Sequence, residues 1–149
     1  MIRIYLQFLS FIFLSVLVSC TASGPQFKPS PPPIDKADFY IYWENDKGVT
    51  LDFPNILIDE IKIGSLKKGG YLKSEIKSGH HSVRIGDNSF NWGLKDLKFD
   101  FLAEKGNAYY FKIVYVARGG YYQDVYTVKV VPMDSTSAQN EIKTTKLSN

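Results

Sequence analysis

Residues 56–85 read ILIDEIKIGSLKKGGYLKSEIKSGHHSVRI, and this stretch decides the fold class. Apolar and polar residues alternate through much of it, and turn-forming residues cut it into pieces of three to six. Ile56-Leu57-Ile58 runs into Asp59-Glu60. Ile61 to Gly64 follows, and Lys68-Gly69-Gly70 turns the chain again. Tyr71 to Ile76 alternates up to Ser78-Gly79, and His81 to Ile85 alternates after it. A period of two is the signature of a strand whose faces look in opposite directions, and Gly-rich pairs between such runs mark hairpins.

The same reading extends outward in both directions. Upstream, Phe39-Tyr40-Ile41-Tyr42-Trp43 puts residues 39, 41 and 43 on one face and Tyr40 and Tyr42 on the other. Downstream, Gly86 to Gly93 (GDNSFNWG) is a loop and Leu97-Lys98-Phe99-Asp100-Phe101 alternates. Glu104 to Asn107 turns into the run Ala108–Val116. Arg118-Gly119-Gly120 turns into Tyr121–Val131, which Pro132 should end. About seven or eight short strands without a long helical period predict an all-β chain. The expected architecture is a single β-sandwich over residues 37–133, with residues 134–149 as a loose polar tail.

The front of the chain has another composition. One basic residue, Arg3, precedes the apolar run Ile4–Val18, the plan of a secretory signal peptide. The run is shorter than the roughly 20 residues a membrane-spanning helix needs, and Gln7, Ser10 and Ser15 interrupt it. Leu17-Val18-Ser19-Cys20 resembles the bacterial lipobox: an aliphatic residue, a tolerant position, a small residue, then cysteine. The resemblance implies removal of residues 1–19 and acylation of Cys20, and so a membrane partner for the chain. Thr21 rather than aspartate after the cysteine resembles outer-membrane lipoproteins. Residues 20–36 (CTASGPQFKPSPPPIDK) are rich in Pro, Ser and Gly and predict a tether. As a flexible coil it would span about 20–24 Å.

Chemistry is sparse. Cys20 is the one cysteine, so neither an internal disulfide nor, once it is acylated, a thiol site is available. The net charge of +3 falls by one with Arg3. The remaining basic residues are scattered, which argues against nucleic acid. His80 and His81 are adjacent on a strand and point to opposite faces, so they do not chelate one metal. Gly64-Ser65 lacks the second glycine of a nucleophile elbow. Asp59 and Glu60 read as solvated turn carboxylates, and Asp87-Asn88 lacks the spacing of a calcium loop. No nucleotide-binding fingerprint occurs. No catalytic residue, metal or cofactor is expected.

FYIYW, the stretch 56–85 and Phe101–Val114 (FLAEKGNAYYFKIV) together resemble the bacterial lipoprotein family catalogued as domain of unknown function 2846. The middle stretch is also similar to PEGA-type surface-layer repeats. Glu60 stands where that family usually has glycine, and Trp43-Glu44 replaces its common Arg-Pro pair. The resemblance implies a transthyretin- or immunoglobulin-like sandwich, lipid-anchored and without known activity.

Aromatic residues make up 15% of the chain, and Tyr109-Tyr110-Phe111 and Tyr121-Tyr122 place rings on both faces of their strands. One face fills the core; the other must meet solvent, another strand or a partner. Phe90 and Trp92 of the loop, with Arg118, Tyr121 and Tyr122, are the expected contact surface, since aromatic and arginine side chains dominate binding hot spots. The expected function is a non-enzymatic envelope module that binds another envelope protein. The alternative is a module that binds glycan or peptidoglycan through exposed aromatics.

Overall fold

In the computed structural model, residues 21–45, 53–86, 97–118 and 125–148 are described. They form nine strands in two sheets and one helix. The strands are β1 (Ala37–Trp43), β2 (Asn55–Ile58), β3 (Ile61–Ser65), β4 (Gly70–Ile76), β5 (Gly79–Gly86), β6 (Leu97–Ala103), β7 (Ala108–Arg118), β8 (Val125–Met133) and β9 (Lys146–Leu147). The helix α1 spans Ser135–Ile142. One sheet has the order β8-β7-β1-β4-β9 and the other β3-β2-β5-β6. The chain is an all-β sandwich.

Turn chemistry sets the hairpins. Asp59 and Glu60 close β2 onto β3 with φ of 50° and 65°, a left-handed conformation that Asp tolerates better than most residues. Gly106, at φ 79°, turns β6 into β7. The centre of the large sheet is less local. β1 pairs antiparallel with β4 and parallel with β7, so its neighbours come from distant parts of the chain.

Alternation along β1 then builds two cores. Ala37, Phe39, Ile41 and Trp43 point between the sheets, where they meet Ile56, Leu72, Val83, Ile85, Phe111 and Ile113. Tyr40 and Tyr42 point the other way, and they too are buried. All seven residues of β1 are buried, which for a strand requires cover on both faces.

That second cover corrects two expectations. The tail after Met133 is not loose: α1 lays Ala138 and Ile142, both fully buried, against the outer face of the large sheet. β9 then adds parallel to β4. Nor do residues 21–27 stand off as a tether. Thr21 bridges to Lys68, Gly24 N donates to Leu147 O at 3.0 Å, and Phe27 is 5% exposed. β8 also continues through Pro132, which pairs opposite Phe111. Proline is tolerated there because β8 is an edge strand and needs no outward N–H.

Candidate functional site

The outer face of the five-stranded sheet is the most elaborated part of the molecule. The parallel register sets Tyr40 beside Tyr110, and their rings stack 4.8 Å apart at 7°. Phe27 meets Tyr40 and Tyr71 edge-on, each at 5.6 Å, the geometry in which a ring's positive edge faces another's negative face. Asp134 caps α1 by accepting from Ser137 N at 2.9 Å. The helix therefore starts where its first turn can be satisfied.

Ion pairs latch this layer to the sheet. Tyr42 Oη donates to Glu141 Oε2 at 2.8 Å, and Lys112 Nζ donates to the same oxygen at 2.8 Å. Lys112 also pairs with Glu44 at 2.6 Å. Burial alone would push the Glu141 carboxyl up, but the Lys112 and Tyr42 hydrogen bonds outweigh it and hold it below its ordinary value. Burial would likewise lower Lys112, and its two carboxylates raise it instead. Tyr42 is pushed far up, by burial first and by Glu141 second, so its hydroxyl stays a donor. One strand turn away, fully buried Asp38 binds Lys73 at 2.9 Å and accepts from Tyr40 Oη at 3.2 Å. Lys73 also lies over the Tyr40 ring, 5.4 Å from its centre.

Beside this layer is a cleft of about 500 Å³ between Pro29–Pro32, the Gly106-Asn107 turn and α1. Its polar groups are neutral: Ser30, Asn107, Ser135 and Gln139 around Tyr110. Gln139 Nε2 donates to Tyr110 Oη at 3.2 Å.

A second polar group ties the β2–β3 hairpin to the connection that crosses from β4 to β5. His81 Nδ1 lies 2.7 Å from Asp59 Oδ2, and its Nε2 lies 2.8 Å from Lys77 O. Ser82 N donates to Asp59 Oδ1 at 3.0 Å. This backbone bond first, and His81 second, hold the Asp59 carboxyl below its ordinary value. Arg84 pairs with Glu60. These carboxylates are turn anchors rather than an isolated acid–base couple. Among the described residues, no three His, Cys, Asp or Glu side chains gather closely enough to hold a metal ion.

Of the contact surface expected from the sequence, Arg118 ends β7 opposite Val125. Phe90, Trp92, Tyr121 and Tyr122 lie outside the described residues, as does Cys20. The structure instead brings together Phe27, Tyr40, Tyr71 and Tyr110 with Lys112 and Glu141; the periodicity sets Tyr40 on a second strand face and Tyr110 in an aromatic run, and gives no sign that Phe27, Lys112 and Glu141 join them. Two signals for them do exist in the sequence. Phe27 is the one aromatic in a proline-rich stretch, and Asp134-Ser-Thr-Ser137 opens a short run with Ala138 and Ile142 four apart.

Fold and site together define a two-sheet β-sandwich whose own ends close one of its outer faces. No family model matches the chain, and no curated protein matches it.

Proposed function

We propose that this chain is a lipid-anchored, non-enzymatic protein of the bacterial envelope. Acyl chains on Cys20 hold it in the outer membrane, and its sandwich binds another envelope protein. The kinship with the lipoproteins of domain of unknown function 2846 belongs to the same proposal. Leu17–Cys20 supplies the acylation pattern. The observation that carries the reading further is the Thr21–Lys68 bridge, with Ala22 N donating to Lys68 O at 3.3 Å. The residue that follows Cys20 already pairs with the body of the sandwich. An acylated Cys20 therefore sets the corner formed by Lys68, Gly69 and Ser148 at the membrane, not at the end of a long coil. The carboxylates of this layer, one buried and one half-buried, support a binding role over a catalytic one. Asp38 and Glu141 are engaged by lysines that join strands or hold α1 in place.

Metabolic labelling with a fatty-acid probe tests the anchor: label enters the wild type and is lost in Cys20→Ser. Photo-crosslinking in living cells tests the partner. A photoreactive residue at Tyr122 yields a discrete protein adduct, and one at Lys62 does not. Equal adducts at both positions, or none at Tyr122, contradict the protein-binding reading.

The glycan reading draws on the cleft, whose amides and hydroxyls around Tyr110 are the groups that sugars satisfy. Saturable binding of peptidoglycan fragments to the protein, abolished by Gln139→Ala, would favour it.

A further inference from the structure

The two sheets end in four edge strands, and three of them are blunted. β8 carries Pro132, β9 has two residues, and β3 has Gly64 and a register shift against β2 between Ile56 and Leu57. These are the devices that stop an edge from recruiting another strand. β6 has neither proline, nor a bulge, nor extreme shortness, and its guards are the charges of Lys98 and Asp100 alone. It runs seven residues, LKFDFLA, without proline or glycine, in unbroken register with β5 from Ala103 to Leu97. Among the described residues no strand pairs with its other side.

Two further features say what belongs there. The inward side chains of β6, Leu97, Phe99 and Phe101, are only half-buried, whereas Val83 and Ile85 of neighbouring β5 are buried. Among the described residues the sandwich is thus incompletely closed along this edge. On the outward face, Lys98 and Asp100 are exposed and make no ion pair with a described residue. Lys98 sits directly opposite Arg84, whose charge Glu60 already answers, and of the carboxylates around it Lys98 feels Glu60 without forming an ion pair with it.

We propose that β6 is a self-association edge, at which a second copy of this chain pairs antiparallel through a two-fold axis at Phe99. In that register Lys98 of each copy lies opposite Asp100 of the other, so both charges gain the cross-strand partner they lack within the chain. Leu97 lies opposite Phe101, and Phe99 opposite its own counterpart, which covers the three half-buried side chains. The contact is isologous and closes on itself, so it yields a dimer with one continuous eight-stranded sheet rather than a fibre. The palindromic charge pattern is what selects a second copy over an unrelated strand: Lys-Phe-Asp read backwards is its own complement.

The test uses two differently tagged full-length copies, co-expressed and captured through one tag from detergent-solubilised membranes. Wild-type copies co-purify. Lys98→Asp paired with itself, and Asp100→Lys paired with itself, each set like charges opposite one another twice, and co-capture falls by about tenfold. Lys98→Asp mixed with Asp100→Lys restores it, and so does the double variant paired with itself. The restored double variant shows that both positions tolerate the exchange in a folded chain. Absence of wild-type co-capture, single variants that associate like wild type, or a mixed pair no better than the single variants overturns the proposal.

Discussion

The two outer faces of the sandwich have opposite fates. On the five-stranded sheet, Tyr40, Tyr42, Tyr71 and Tyr110 are buried beneath Phe27 and α1. On the four-stranded sheet, Lys62, Ser82, Lys98 and Asp100 stay exposed, and no described element packs over them. Both faces are made by the same strand alternation. What differs is the payload: four tyrosine rings leave too much apolar area to be left in water, whereas lysine, serine and aspartate around two leucines, Leu57 and Leu102, leave far less. The rings recruit cover, and the chain supplies that cover from the segments on either side of the strands, at Phe27 and in α1.

Breaking the cover should therefore cost far more than altering the bare face. Phe27→Ala removes a ring that seals Tyr40 and Tyr71, and should lower stability in urea or thermal unfolding by about 3–4 kcal/mol. Ile142→Ala should follow at about 3 kcal/mol, because this side chain is fully buried. Its matched control is Ile61→Ala. Ile61 is 71% exposed at the bare hairpin, and the same truncation should change stability by less than about 0.5 kcal/mol. Equal losses at the two isoleucines would dissolve the comparison.

Between these extremes lies the latch. Glu141→Gln keeps an acceptor for Tyr42 but removes the charge that Lys112 answers, and should cost about 1 kcal/mol in the same unfolding assay. Its sign with pH follows from the shift. The folded Glu141 carboxyl lies below its ordinary value of 4.5. Its contribution is thus complete above that pH and fades as pH falls through the lowered folded value. Lys112 is raised, and its contribution is lost only as pH climbs past its ordinary 10.5. Measured against the intrinsic exchange rate at each pH, protection of the amides in residues 135–142 should fall on acidification in the wild type before that of the β1 amides does, and Glu141→Gln should flatten that dependence.

Much of the fold was legible because its determinants are local. The alternation in Phe39–Trp43 and the turns at Asp59-Glu60, Gly69, Gly79 and Gly106 mark strands and hairpins within a few residues. The strand order was not, since the parallel contact of β1 with β7 joins positions some 70 residues apart. α1 escaped for a related reason. Its eight residues are mostly polar, and the value of Ala138 and Ile142 exists only once a tyrosine face stands opposite them. Phe27 was hidden by the prolines around it, which correctly read as irregular backbone but do not forbid docking. The contact surface of Phe90, Trp92, Arg118, Tyr121 and Tyr122 rests on residue type alone. Of it the described fold adds the position of Arg118 at the far end of β7.

The central claim is that residues 21–27 and 135–148 are structural parts of the sandwich. Hydrogen exchange on the full-length protein in membranes tests it most directly, at the amides of Ala22, Gly24, Phe27 and Lys146–Ser148, whose bonds join the two segments to each other and to β4. The account predicts protection approaching that of β1. Exchange at the rate of a free peptide in residues 21–27, with β1 still protected, would contradict it and return this segment to the role of a tether.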